Sequence, residues 1–386
     1  MVPGTPIVLS LSDGPNAFAA RHSCPLQGTD LGTSAVPGVV DIRTSSTAEA
    51  FSVLVLINKK RYAELSMSVE SNGLASISSV TADRFGREIK GLRISVTQRC
   101  DLACSHCHRE GQAPSSREMS PEEIERLVGV GASLGIRKVK ITGGEPLLRN
   151  DIVDIVARIS PIVSEVSLTT NGSRLSGLAH DLKTAGLKRV NVSLHTLDPK
   201  RYMRLCGSED ISEVLAGIRS AINSGMNPVK VNMVVFRGEN ESEIQPMIEF
   251  CGGVGAILQL IEFEADRESL NGSEFTTRYF PLKGVEEELA RNSVGMSVNE
   301  LHRRRRYVLP NGGTPVTVEV VRPMHNTEFC SSCTRIRMSS DGLLKPCLLD
   351  RSGEVDVLSP LRNGSSDSEL GRLFLKAIGN RRPYWR

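Results

Sequence analysis

Nine cysteines occur in the chain, and six of them fall into two triads, Cys100-x3-Cys104-x2-Cys107 and Cys330-x2-Cys333-x13-Cys347. Each triad is one ligand short of the closed tetrahedron that a structural zinc site requires. Three thiolates also suit three corners of a four-iron, four-sulfur cube, which leaves the fourth iron open to another molecule. Two such corners in one polypeptide suggest one for a cofactor and one for a substrate. Cys24, Cys206 and Cys251 remain as ordinary thiols. In a large chain without a secretion signal, clustered cysteines read as metal ligands rather than disulfides, which places the protein in a reducing, cytoplasmic setting. A zinc knuckle completed by His106 or His108 is the competing reading of the first triad.

The elements that must hold these residues follow a rhythm. Strand-like runs at 92–97, 138–143, 165–170, 189–195, 229–236 and 256–263 alternate with helical patterns near 120–134, 150–160, 175–185, 211–224 and 241–251. Ser120-Pro121-Glu122-Glu123 starts a helix with a capping serine, proline at the first position and acids at the positive end of the dipole. Alternation of this kind predicts parallel strands joined by right-handed crossovers. A closed eight-stranded barrel needs about 250 residues, so the shorter repeat predicts an α/β fold with a partial (βα)6 TIM-like barrel over 83–263. A smaller C-terminal α+β domain over 264–386 is expected to carry the second triad. It should hold a helix near 281–291, strands at PVTVEVV and RIRMSSDG, and a last helix near 368–379. Residues 1–82 read as an N-terminal extension: a proline-bearing, poorly ordered start, then three strand-like segments that suggest a small β-meander.

At 386 residues, 39% hydrophobic and 24% charged, with a formal charge of +3, the composition announces neither a nucleic-acid nor a membrane surface. The strongest apolar run, Phe51 to Ile57, is far too short to span a bilayer, and the first residues do not read as a signal peptide. The run His302-Arg303-Arg304-Arg305-Arg306 reads as a solvated face rather than an RNA site.

Polar residues close successive strands at what would be the functional mouth of a barrel: Thr142-Gly143-Gly144-Glu145-Pro146, Thr169-Thr170-Asn171-Gly172 and Ser193-Leu194-His195. The triad after the first strand together with Gly-Gly-Glu-Pro after the second resembles the radical S-adenosylmethionine superfamily. The resemblance implies that the open iron chelates S-adenosylmethionine, whose reductive cleavage supplies a 5′-deoxyadenosyl radical. The stretch Phe329 to Arg337, with Asp341-Gly342 and Lys345-Pro346-Cys347-Leu348, resembles the GTP 3′,8-cyclase family of molybdenum cofactor biosynthesis. Asp83-Arg84-Phe85-Gly86-Arg87 resembles that family's start, and Cys107-His108-Arg109-Glu110-Gly111 its archaeal branch. The resemblance covers Asp83 to the region beyond Leu349.

What it implies is a lyase with two 4Fe-4S clusters, held by Cys100, Cys104 and Cys107 and by Cys330, Cys333 and Cys347, with S-adenosyl-L-methionine as cofactor. His106, Gly144 and Ser193 fall at cofactor-contacting positions. Arg93, Lys140, Thr169, Lys230, Arg335, Ile336 and Arg337 fall at GTP-contacting positions, and no residue is assigned to proton transfer. Lys140 keeps the charge of a position that is often Arg, without its fork. Glu264 replaces a cofactor-contacting Met, and no contact is carried over to it. No G-x4-G-K-[ST] phosphate loop occurs, so side chains must hold any triphosphate. The implied partners are GTP, an electron donor such as ferredoxin or flavodoxin, a downstream cyclic pyranopterin monophosphate synthase and a second copy in a homodimer, with no nucleic acid and no membrane. Bacterial members end in Gly-Gly; this chain ends Asn-Arg-Arg-Pro-Tyr-Trp-Arg, so the resemblance lends that ending no catalytic role. Two rivals remain: a peptide-modifying radical enzyme with an auxiliary cluster, which usually needs more C-terminal cysteines, and a zinc-stabilised RNA-binding protein.

Overall fold

The computed structural model describes the backbone of three strands before residue 80 and residues 81–385 in full. The reading of residues 1–49 as a poorly ordered start lies outside the described residues. Strands β1 (Ala50–Leu56), β2 (Tyr62–Val69) and β3 (Ala75–Ser79) pair antiparallel in that order, a β-meander within a unit spanning Met1–Thr81. Ala82–Arg386 forms a second compact unit.

The second unit opens with β4 (Gly91–Ser95), α1 (Pro121–Ser133), β5 (Lys138–Thr142), α2 (Ile152–Ile159), β6 (Glu165–Thr170), α3 (Leu175–Thr184) and β7 (Arg189–Ser193). It continues through α4 (Pro199–Cys206), α5 (Ser212–Asn223), β8 (Val229–Val235), α6 (Ile244–Val254) and β9 (Ile257–Glu262). These six strands pair in parallel in sequence order, the partial barrel of an α/β fold. The helix start at Ser120 is a reciprocal capping box: Ser120 Oγ accepts the Glu123 N–H at 3.2 Å and Glu123 accepts the Ser120 N–H at 2.8 Å. Helix α4 had no counterpart among the expected helices. It is short and polar, and its only local marks are the Asp198 cap, which accepts the Arg201 N–H, the following Pro199, and Gly207 at φ +79°.

Beyond β9 come α7 (Ser273–Arg278), α8 (Lys283–Asn292), β10 (Gly295–Val298), β11 (Arg305–Leu309), β12 (Val316–Val321) and α9 (Thr327–Ser331). The chain ends through β13 (Arg335–Met338), β14 (Leu343–Lys345), β15 (Val355–Asp356), α10 (Leu358–Arg362) and α11 (Asp367–Gly379). This segment is mixed α+β, and its strands join the barrel sheet rather than forming one of their own. β12 lies parallel beside β9, and β13 lies parallel beside β4. Antiparallel hairpins continue both ends, giving the order β10-β11-β12-β9-β8-β7-β6-β5-β4-β13-β14-β15. The second triad is thereby carried next to the strand that precedes the first.

Side chains alternate across each strand. One face, including Leu92, Ile94, Val139, Ile141, Leu168, Val231, Leu258 and Ile336, is fully buried, and each such side chain is worth about 1.5–3 kcal/mol of burial. The other face is polar and lines a cavity. No helix among the described residues is long and apolar enough to cross a membrane.

The two ends of this unit are tied by charge. Asp83 accepts from Arg87 at 2.8 Å and from Arg381 at 2.6 Å, with the Asp83 and Arg381 side chains buried. The same arginines donate to the backbone carbonyls of Cys330 (Arg87, 2.8 Å) and Cys333 (Arg381, 2.6 Å). Removing one member of a buried ion pair strands its partner, at a cost of about 3–5 kcal/mol. Asp83→Ala should lower stability by about that amount in urea unfolding; a loss comparable to an exposed pair would show that the network does not hold the fold.

Candidate functional site

The first triad sits on a loop leaving β4, held from three sides. The end of α4 props it from below: the carbonyls of Cys206 and Leu205 accept the N–H groups of Ala103 and Ser105, each at 3.0 Å. Asp101 accepts from Asn171 Nδ2 at 2.7 Å and from Ser173 Oγ at 2.8 Å, fixing the loop to the end of β6. On the third side lies the Gly143-Gly144 turn. A Cβ on Gly144 would stand 2.3 Å from the Arg99 carbonyl oxygen, and one on Gly143 would stand 2.7 Å from that of Thr97. The glycines therefore permit a close backbone approach and are more than a plain turn. Glu145 spends its carboxylate on the scaffold, accepting the N–H groups of Leu147 (2.9 Å) and Asn171 (2.6 Å) and the Thr170 hydroxyl (2.7 Å). Burial pushes its pKa up to about 7, against the pull of these donors.

Both triads line a single cavity of about 410 Å³. Cys330 ends α9, Cys333 precedes β13 and Cys347 follows β14. Burial pushes the Cys100 thiol up to about 11 and also raises Cys107, Cys330 and Cys347. The buried Cys206 thiol, hydrogen-bonded to Cys104, lowers the Cys104 value. At Cys333 burial acts upward, but Arg381 and Arg335 bring the thiol below its ordinary value. The Trp385 backbone N–H donates to Cys330 Sγ at 3.4 Å. Thiols raised by burial become thiolates when a metal centre takes the place of their protons. Two sets of three sulfurs lining one cavity fit two iron–sulfur clusters, which Cys100, Cys104 and Cys107 and Cys330, Cys333 and Cys347 would hold, each with one protein ligand too few.

One of the two imidazoles that a zinc knuckle could use, His106, is already engaged. His106 Nε2 lies 3.1 Å from His195 Nε2, while His195 Nδ1 accepts the Val234 N–H at 3.1 Å. His195 therefore carries its proton on Nε2 and donates to His106, which must carry its own proton on Nδ1. That Nδ1 is buried without a partner. Burial holds both rings neutral, His195 down to about 4 and His106 well below its usual value. Among the described residues, no three thiol, imidazole or carboxylate groups close on one point.

Opposite the thiols, the polar face of the sheet is a wall of cations. Strand register sets Arg337 beside Arg93 and Arg93 beside Lys140. Lys140 Nζ donates to Asn191 at 2.9 Å. Burial and the neighbouring Arg189, Arg93 and Arg335 push its pKa far down. Burial, Arg337 and Arg93 bring Arg335 down to about 9. Among the described residues, neither Lys140 nor Arg335 has a carboxylate partner. Lys230 does: Glu319 holds it at 2.6 Å and also pairs with Arg304 at 2.8 Å and Arg306 at 2.7 Å. Burial still brings Lys230 down to about 8. The arginine run is thus not a uniform solvated face, because alternation along the strand turns Arg304 and Arg306 onto Glu319 and leaves Arg303 and Arg305 outside.

Thr169, Gly144 and Ser193 also line the cavity, as do Arg93, Lys230 and Arg337. Ile336 does not. Its side chain is fully buried on the apolar face, since adjacent strand residues point to opposite sides, so only its backbone could meet a nucleotide. Among the lining residues that the sequence had given no role are Glu110 and Arg304; Glu264, given no contact, lines it as well. Gly144→Ala should force the cysteine loop away from the turn, lowering the melting temperature and the iron retained by protein purified without oxygen. Unchanged iron content would show that the close approach is dispensable.

The sequence profile of the Radical SAM superfamily matches residues 94–251, and that of Molybdenum Cofactor Synthesis C matches residues 256–386. A protein of Pyrococcus abyssi named probable GTP 3′,8-cyclase is 54% identical over 303 residues, which is 78% of this chain and 99% of its own length. One of the same name from Methanothermobacter marburgensis is 44% identical over 307 residues, 78% of this chain and 98% of its own length. Among solved structures, SuiB of Streptococcus suis bound to precursor peptide SuiA is similar with a TM-score of 0.53 at 16% identity, over 72% of this chain and 66% of SuiB, a likeness of fold alone. With both of its halves matched and near-complete relatives at this identity, the chain belongs to the GTP 3′,8-cyclase family of radical S-adenosylmethionine enzymes.

Proposed function

We propose that this protein converts GTP to (8S)-3′,8-cyclo-7,8-dihydroguanosine 5′-triphosphate, the first step of molybdenum cofactor biosynthesis. One observation carries the reading: two open thiol triads face a single cavity whose wall holds two half-buried basic side chains, Lys140 and Arg335, with no carboxylate partner among the described residues. Such a wall suits a polyanion, and the near-complete relatives are named for GTP.

In this reading residues 83–263 make the radical-generating part and residues 264–386 the nucleotide-holding part, while residues 1–82 stand outside the chemistry. Cys100, Cys104 and Cys107 hold one 4Fe-4S cluster, and Cys330, Cys333 and Cys347 hold the other. Held there, the first cluster would supply the electron for reductive cleavage of S-adenosylmethionine, and the second would supply an open iron for the purine. The chain's own residues position and exclude. Gly144 gives the cofactor room against the backbone, with Ser193 and His106 nearby. Thr169, Arg93, Lys230 and Arg337 flank the nucleotide, and Arg335 and Lys140 neutralise its phosphates. The same reading takes ferredoxin or flavodoxin as electron donor, the product as substrate of a cyclic pyranopterin monophosphate synthase, a homodimer as the assembly and the cytoplasm as the location.

Cys330→Ala should abolish cyclisation yet leave part of the reductive cleavage of S-adenosylmethionine; cyclised GTP from this variant would remove the assigned role of the second triad. Protein purified without oxygen should contain about eight irons per chain, and two zincs with no colour would overturn the reading. Lys140 also predicts proton linkage. Its pKa is held far below the ordinary value in the free protein, and a bound polyphosphate raises it. Binding must therefore take up a proton in the window between the two values, and affinity must fall as pH rises through it. Calorimetry in buffers of different ionisation enthalpy reads this directly, and buffer-independent heats would show that Lys140 does not meet the phosphates.

A further inference from the structure

We infer that Glu110 is an internal stand-in for the substrate's phosphate, a carboxylate latch that the polyphosphate must displace, and that it sets the selectivity for a triphosphate over a monophosphate. This inference rests on the reading of the cavity as a GTP site.

Three observations carry it. The first is contact. One carboxylate oxygen of Glu110 accepts from Arg93 and from the Thr142 hydroxyl, the latter at 3.0 Å, and the other accepts from Arg337 at 2.8 Å. Arg93 and Arg337 come from adjacent strands in register and would otherwise face the cavity as free cations beside Arg335 and Lys140. The second is environment. Burial alone would push the Glu110 carboxyl up, but Arg93 and Arg337 hold it at about 2, so it is a fixed negative charge at any working pH. The third is backbone. Glu110 at φ +52° and the preceding Arg109 at φ +46° are both non-glycine residues in the left-handed region. Such residues cost of order 1–3 kcal/mol each and persist where the surroundings over-determine them, as in switch segments. Here the surroundings are the two arginines and the threonine.

The division among the cations follows. Lys140 and Arg335 have no carboxylate to release, so they are the landing site for an arriving anion. Arg93 and Arg337 must exchange one bidentate-capable acceptor for another. A single phosphate satisfied by the landing pair has little left with which to compete. A triphosphate brings enough charge to occupy the landing pair and replace the carboxylate together. When the carboxylate leaves, residues 109–110 can relax to ordinary backbone angles, which partly offsets the cost of breaking its contacts.

The test uses inorganic tripolyphosphate, GTP and GMP as probes, with calorimetry on cluster-loaded protein. A latch that keeps the open state to about one part in ten weakens apparent binding about tenfold, and removing it returns that factor. Glu110→Gln keeps the shape and removes the charge, and should bind tripolyphosphate about tenfold tighter. It should also narrow the gap between GTP and GMP and lower the KM for GTP. A merely structural glutamate would give the opposite, weaker binding of every probe and a higher KM. Thr142→Val removes only one of the hydrogen bonds on the carboxylate and should give a smaller tightening in the same direction. It alone decides the matter if Glu110→Gln does not fold. Equal or weaker tripolyphosphate binding by the folded variants, with GTP still bound by the unsubstituted protein, overturns the latch and leaves the GTP reading standing. An unsubstituted protein that binds neither GTP nor tripolyphosphate overturns both.

Discussion

Positive charge buried without an equal countercharge is the constraint around which this molecule is organised. Parallel register brings Arg337, Arg93 and Lys140 side by side on one face of the sheet, with Arg335 close by. In a low-dielectric cavity these groups repel one another and lose hydration, which is why Lys140 and Arg335 are displaced so far from their ordinary acidities. A fold tolerates this only if the apolar face of the same strands is well packed and if a ligand repays the cost. The first condition is met by the fully buried row that includes Leu92, Ile94, Val139 and Ile141. The second makes the wall a site rather than a defect, because an anion gains most where cations have been left unsatisfied.

The same constraint explains the use of carboxylates. Glu110 and Glu319 each sit among several cations and are both held at about 2, so each removes one charge from the cavity at every working pH. They differ in what holds them. Glu319 lies within the regular strand β12 and joins Lys230, Arg304, Arg306 and Gln259 into a buried network. Glu110 hangs from a loop with unfavourable backbone angles. The first is part of the frame, and the second is free to be exchanged.

Much of this was legible in the sequence where a local rule governs. The Ser120 cap, the six-strand rhythm and the meander depend on neighbours a few residues apart, and each stands in the structure as its pattern implies. The parts that were not legible are set by distant partners. Nothing local tells that β12 and β13 run parallel to opposite edges of the barrel sheet, because β12 pairs with a strand 60 residues earlier (Val318 with Leu258) and β13 with one 244 residues earlier (Arg335 with Gly91). Helix α4 was hidden by its polar composition, and its Asp198-Pro199 start and Gly207 stop were the signals available. The inward turn of Arg304 follows from strand alternation only once β11 is known to be a strand, and a row of like charges disguises it. Ile336 was carried along with its arginine neighbours, although the same alternation that turns Arg335 and Arg337 inward must turn Ile336 away.

The two thiol triads and the cation wall also depend on one another through the backbone. Arg87 and Arg381 hold the carbonyls of Cys330 and Cys333, and both arginines answer to Asp83. On the other side, the carbonyls of Cys206 and Leu205 hold the N–H groups of the first loop. Leu102 packs the first loop against the core and Phe329 stacks on His302 beside the second triad, and hydrogen bonds to buried, charge-compensated groups add to that packing. A site built this way is rigid where its sulfurs are anchored and adjustable where Glu110 spans Arg93 and Arg337. An enzyme that must keep two reactive metal clusters in fixed relation, yet admit a large anion between them, needs both properties in the same cavity.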